Sequence, residues 1–391
     1  MTERDAAIRV LCRCAETAPD ASDLHESVAA VRDWDALIDL AVHHGVIGLA
    51  ARTLANLDGA LPSGAARRFE EQRRSLQRRG LAAAAETVRL LRVLGDAGVE
   101  ALPLKGPSLA AQAYGDTGAR DYGDIDLLVH RRDLERARVA LTRDRYAPPP
   151  EWNPRDERWY QRTLDQAVGM TRPGNALRVE LHGRVHPPFF GVRLERDLWR
   201  RQVRLELAGA PIRAMSSEDA LLVACTHASR TGWQRLEYVA CVAHLARREL
   251  DWPVLVDAAR RAGALRMLAL GLCLAHDVLG QDLPATASRL AGDAPVVRLA
   301  RGVAVDLLQG DPLRTGREGY SDPRRTLLHV RLRERPRDRV RYVARLMLVP
   351  TFTELNMVRL PRPLEPLYSL LRLARIVRLA LTAPRRLRGA A

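Results

Sequence analysis

Apolar side chains recur every three or four residues through the first 95 positions. Trp34, Leu37, Ile38 and Ala41 follow this spacing, as do Leu81, Ala84, Ala85, Val88 and Leu91. The pattern predicts a run of helices closed by Gly95 and Gly98. The period then changes. Val99 to Gly106 reads as a short apolar strand, and Tyr122 to His130 holds a second in which polar and apolar positions alternate after Gly123. A helix is predicted at about 131 to 145, ended by Pro148, Pro149 and Pro150. Residues near 165 to 183 read as a hairpin turning at Pro173-Gly174-Asn175, and Val203 to Met215 as a pair of short strands turning at Gly209-Ala210-Pro211. From Ser216 the helical period returns, with Ser216 or Ser217 as N-cap and Glu218 and Asp219 in the first turn. The expected class is α+β: a helical region (1–95), a small mixed-sheet α/β core (96–215), a second helical region (216–310) and a basic helical tail (311–391).

Composition changes the picture in two places. At 391 residues and 47% hydrophobic the chain can bury a large core, which excludes a disulfide-stapled scaffold and a disordered chain. A net charge of +15 would ordinarily suggest nucleic acid. Of the 62 basic residues, however, Lys105 is the sole lysine; an arginine and alanine bias of this kind follows coding composition, so the charge says less about partners than its size suggests. RNA stays open as an acceptor, without a visible RNA-binding motif. Five cysteines with no CxxC pair offer neither a disulfide framework nor a zinc site. No run reaches the roughly 18 apolar residues of a membrane span and no signal peptide is visible, so the cytoplasm is the expected compartment. A basic amphipathic helix near Leu367 to Leu381 packs either on the core or, as a peripheral contact, on an anionic membrane.

The candidate chemistry lies in Gly123-Asp124-Ile125-Asp126-Leu127-Leu128-Val129. On a strand Asp124 and Asp126 share one face, about 7 Å apart, opposite Ile125, Leu127 and Val129. Two such carboxylates suit a divalent ion held together with substrate phosphates, although a bare Asp-x-Asp also occurs on edge strands with both carboxylates solvated. Neighbouring residues favour the first reading. Leu102-Pro103-Leu104-Lys105-Gly106 ends a strand in a turn before a helix from Ser108, where backbone N–H groups can meet a phosphate. Further on, Arg178, Glu180 and His182 alternate with apolar residues and bring a third carboxylate.

These blocks resemble the polymerase-beta-like nucleotidyltransferase superfamily, and within it a bacterial family of uncharacterised nucleotidyltransferases often found beside peptide natural-product and surface-polysaccharide genes. The likeness runs from Leu104-Lys105-Gly106 through Tyr114-Gly115-Asp116, Arg120 and Asp124-Ile125-Asp126 to Glu180-Leu181-His182, Glu218-Asp219, His227, Trp233 and Leu360-Pro361. Two departures stand out: Pro107 follows Gly106 where the superfamily usually has Ser or Gly, and Cys241 stands where the family tends to carry Asp. The resemblance implies ATP or another NTP as co-substrate, two Mg²⁺ ions on Asp124, Asp126 and Glu180, and transfer of an NMP to an acceptor with release of pyrophosphate. Lys105, Gly106, Ser108 and Arg120 would bind the nucleotide. Alternatives on the same site are a kinase-like phosphoryl transferase and an inactive nucleotide- or RNA-binding regulator.

Lys105 stands out because a chain that otherwise writes arginine keeps one compact ammonium at a strand-to-turn junction. His182 reads as a neighbour that orients Glu180. His227 either faces the cleft or is a hydrogen-bonded core histidine. Asp116 and Asp121 read as turn residues, His43 and His44 as structural, His186 as loop, and Trp152, Trp159, Trp199 and Trp233 as packing residues.

Overall fold

The computed structural model describes residues 2–57, 59–148, 159, 167–310 and 323–382. Near the start of the chain lie the helices Glu3–Ala15, Ala21–Ala29, Trp34–His43 and Ile47–Leu54, then the 34-residue helix Ser63–Asp96. Side chains start the first three: Thr2 and Asp5 form a reciprocal capping box, and Asp20 and Asp33 cap the next two.

Four strands follow: β1 (Ala101–Pro103), β2 (Asp124–Val129), β3 (Val168–Arg172) and β4 (Asn175–His182), in the order β1-β2-β4-β3. β2 and β4 run parallel, while β1 on β2 and β3 on β4 are antiparallel, so the sheet is mixed as expected. β2 is therefore an inner strand. Ile125, Leu127 and Val129 are buried with Val179 and Leu181 against Leu90 and Leu94 of Ser63–Asp96 and Ala137 and Leu141 of the helix Leu134–Arg143. Burying each large apolar side chain contributes about 1.5–3 kcal/mol, and alternation then commits Asp124 and Asp126 to the other face.

A separate ribbon pairs β5 (Val203–Leu207) with β6 (Ala210–Ala214). Its turn is Ala208-Gly209, both at positive φ, rather than Gly209-Ala210-Pro211. The pairing of Leu207 with Ala210 closes a two-residue hairpin, and Pro211 is tolerated because both strands of a ribbon are edges.

Beyond the Ser216 cap come Ser217–Thr231, Leu236–Ala246, Trp252–Ala262, Leu265–Leu279, Ala285–Ala291 and Ala294–Gln309. Leu11, Leu37, Ile38 and Leu49 share one core with Leu221, Val242, Leu270 and Leu274, so the two helical regions meet although the sheet separates them in sequence. The later helices include Pro323–Arg331, Pro336–Leu348 and Tyr368–Thr382. The last packs on Pro336–Leu348: Tyr368 is buried against Trp159, and Arg372 Nε donates to the Leu346 carbonyl at 2.8 Å. Leu370 and Val377 of the same helix are exposed. No helix among the described residues is long and apolar enough to cross a membrane. Pro149, Pro150 and Trp152 lie outside the described residues.

Candidate active site

The parallel register of β2 and β4 sets Asp124 opposite Arg178 and Asp126 opposite Glu180, with His182 one alternation further along the same face. Asp126, Glu180 and His182 form a group whose potential ligand atoms all lie within 4.8 Å of one another. His182 Nε2 is 2.7 Å from Asp126 Oδ1 and 3.6 Å from Glu180 Oε2, so its nearer partner is Asp126 rather than Glu180. Arg178 reaches Glu180 at 3.3 Å. Asp124 lies on the same strand face, outside that compact group.

Lys105 joins the site through the ladder on the other side of β2. Pro103 pairs with Leu127 and Leu104 N–H donates to the Asp126 carbonyl at 3.0 Å, which brings the next residue beside Asp126. Lys105 Nζ stands 3.1 Å from Asp126 Oδ1. Gly106 then takes φ +63°, a left-handed conformation that favours glycine, and the helix Gly106–Tyr114 begins with Pro107 in its first turn. Ser108 is fully buried, and its hydroxyl has no partner among the described residues.

The electrostatics divide the two aspartates. Burial, then the charge of Asp126, raises the Asp124 carboxyl above its ordinary value. Burial works against Asp126 as well, but Lys105 and the hydrogen bond from His182 outweigh it and hold this carboxyl well below the usual range. Asp126 is 1% exposed, and its Oδ2 has no hydrogen-bond partner among the described residues. A solvated edge pair is thereby excluded for Asp126. An orphaned buried carboxylate oxygen, a second carboxylate and an imidazole within reach form a donor set that fits a divalent cation.

His227, on Ser217–Thr231, lies within electrostatic reach of this site: burial depresses its pKa well below the ordinary value, and Lys105 is the leading charge acting on it. Its ring meets Tyr238 edge-on at 5.8 Å. Arg120 lies within electrostatic reach of Glu237, Tyr238 and Cys241 on Leu236–Ala246. Burial opposes its charge, but Glu237 and Cys241 lead the influences that sustain it. Glu237 is buried, its carboxyl raised by that burial, and it pairs with Arg235 at 3.3 Å. Glu237 and Tyr238 were not anticipated, although a lone acid in the apolar run Leu236–Ala246 was a visible signal. The Cys241 thiol is pushed up to about 11 by burial.

The loop from Gly115 to Gly123 carries the chain into β2. Asp116 Oδ1 accepts from Gly118 N–H at 2.8 Å, the turn role expected of it, and Asp121 pairs with Arg79 at 3.2 Å. His44 is buried and accepts from Leu236 N–H at 3.3 Å, a structural role. His186 is in a loop but fully enclosed, 2.8 Å from the Thr226 hydroxyl. Trp233 is buried in the main core, and Trp199 stacks on His130 at 4.1 Å.

A family model described as "Uncharacterised nucleotidyltransferase" matches residues 30–280, which takes in the sheet, the acidic group, Lys105 and the helices bearing His227 and Glu237. No curated protein and no solved structure matches the chain. With nearly two thirds of its length so matched, the chain belongs to this family of nucleotidyltransferases.

Proposed function

We propose that the protein transfers a nucleoside monophosphate from an NTP to an acceptor hydroxyl or comparable nucleophile, and that the transfer depends on Mg²⁺. The observation that carries this reading is the register pairing of Asp126 with Glu180, which sets a buried carboxylate oxygen, without a hydrogen-bond partner among the described residues, beside a second carboxylate. Asp126 and Glu180, with Asp124 beside them, would hold the ion. It would supply charge neutralisation on the phosphate oxygens and on the leaving pyrophosphate.

The chain's own groups do the rest. The acceptor oxygen attacks the α-phosphorus, the bond from that phosphorus to the β-bridging oxygen breaks, and pyrophosphate leaves. Glu180 takes the proton released by the acceptor. His182, bonded to Asp126 Oδ1, keeps that carboxylate oriented. Lys105 meets the triphosphate as a point charge, and Gly106 lets the backbone come close to it. His227 and Tyr238, in edge-on contact, hold the acceptor.

The test is where the label goes. Pure protein is incubated with Mg²⁺, a cell extract as acceptor pool, and each NTP labelled at either the α or the γ phosphate. Nucleotidyl transfer moves the α label into an acceptor and leaves the γ label in pyrophosphate. Transfer of the γ label with formation of NDP would make the enzyme a kinase, and no transfer of either label would leave a nucleotide-binding protein.

A further inference from the structure

A cavity of about 270 Å³ opens between the segment 189–193, the end of Trp252–Ala262 and the start of Pro336–Leu348. None of the residues assigned above to the nucleotidyl site lines it. Seven of its fifteen lining residues are arginine, against about one residue in six over the whole chain, and Asp338 is the one acid among them. The arginine bias of the sequence does not account for that concentration.

Its walls are built rather than merely exposed. Arg333 is 3% exposed and lies between two aromatic faces, its guanidinium carbon 3.9 Å from the centre of the Tyr342 ring and 5.0 Å from that of Phe190. It donates to the carbonyls of His329 and Phe190, so its position is fixed by backbone and aromatic contacts and not by an acid. Arg345 is likewise anchored, donating to the Pro188 carbonyl at 2.6 Å. Arg193 and Arg341 have no ion pair among the described residues. Burial and then the neighbouring charges of Arg341, Arg193 and Arg184 lower the Arg345 guanidinium from its ordinary value, the mark of like charges crowded together. Holding so many cations around one hollow is costly for the free protein and is relieved when an anion enters.

The geometry points to a binding site for a small anion carrying two or more phosphate groups, separate from the nucleotidyl site. Planar guanidinium forks suit phosphate oxygens bidentately. A hollow of about 270 Å³ admits a di- or triphosphate group.

Calorimetric titration of the full chain with inorganic tripolyphosphate tests this, in EDTA and at about 0.15 M salt so that diffuse attraction is screened. Three variants are compared with wild type. The double variant Arg193→Ala/Arg341→Ala is expected to bind on the order of tenfold more weakly or worse, with an unchanged or higher melting temperature because repulsion is relieved. Arg248→Ala/Arg298→Ala, which removes two exposed arginines elsewhere, is expected to bind like wild type. In Lys105→Ala, which weakens any binding at the nucleotidyl site, the binding lost in the cavity double variant is expected to persist. Vesicles with and without phosphatidylinositol bisphosphate separate a lipid phosphate from a free one: binding by tripolyphosphate alone assigns a soluble ligand, and competition by the phosphatidylinositol bisphosphate vesicles assigns a headgroup. The proposal is overturned if wild type does not bind, if Lys105→Ala is the variant that fails, or if both double variants lose affinity equally. Should the cavity double variant melt early, Arg341→Ala alone, removing one exposed side chain, gives the same comparison.

Discussion

Lys105 contributes more than its charge. Its ammonium stands 3.1 Å from Asp126 Oδ1 on a flexible stem, and that side chain is only 22% exposed. Arginine there would present two parallel N–H groups and grip both oxygens of Asp126, including the one left free for a cation. Lys105→Arg is therefore expected to lower turnover on the order of a hundredfold, nearly as far as Lys105→Ala, because a displacement of about 1 Å at such a site costs that much. Wild-type turnover in the arginine variant, measured as NTP-dependent pyrophosphate release, would contradict this role. That Lys105, Asp126 and Glu180 belong together was legible in the sequence: alternation assigns strand faces, and a lone lysine stands out against so many arginines. The bond from His182 to Asp126 was not legible, since it depends on a register between strands 56 residues apart. Nor was the influence of Glu237 on Arg120, because nothing local distinguishes it from the other arginines.

At the level of elements, the loop that delivers β2 is pinned by bare backbone. A Cβ on Gly80 would stand 2.5 Å from the Thr117 carbonyl oxygen, and one on Gly48 at 2.5 Å from that of Ala119, so two helices press directly on the turn before Asp124. Gly80→Ala ought to gain about 1 kcal/mol of helix propensity. The close approach reverses this, with overpacking worth about 1–3 kcal/mol, and the shifted loop lowers activity as well. Gly95, on the same helix with nothing near its would-be Cβ, is the control: Gly95→Ala should be neutral or stabilising in thermal melts. Equal melting temperatures for the two variants would remove the case for the pin. The strand pattern, the hairpin at Pro173-Gly174 and the Ser216 cap were readable from periodicity and turn chemistry. The shift of the second hairpin turn to Ala208-Gly209 was not, because it places an alanine at φ +49°, which residue preference argues against.

Across the whole molecule, histidines tie distant parts of the chain together in their neutral form. His329 is 2.8 Å from the Tyr342 hydroxyl and donates to the Ser229 and Arg230 carbonyls at 3.1 Å, so it joins the C-terminal helices to the helix bearing His227. Burial and then Arg333 lower its pKa to about 3. The unfolded imidazole protonates near 6.5 while the folded one does not, so stability present above pH 6.5 is lost as the pH falls, by about 1.4 kcal/mol at pH 5.5 for this one group. His329→Gln is expected to show a shallower drop in melting temperature between pH 7.5 and 5.5 than wild type; parallel curves would exclude the linkage. Periodicity located each helix but not the shared core of the two helical regions, since pairings across two hundred residues leave no local trace. That core includes the helices bearing His227 and Glu237, and the central claim is that the acidic group of Asp126, Glu180 and His182 serves nucleotidyl transfer. The most direct measurement is pyrophosphate release from NTP, with and without Mg²⁺, by wild type, Asp126→Asn and Glu180→Gln, each confirmed folded by its melting curve. Release that requires Mg²⁺ and falls by on the order of a hundredfold or more in both variants is the predicted result. Unchanged release by folded Asp126→Asn would contradict the account.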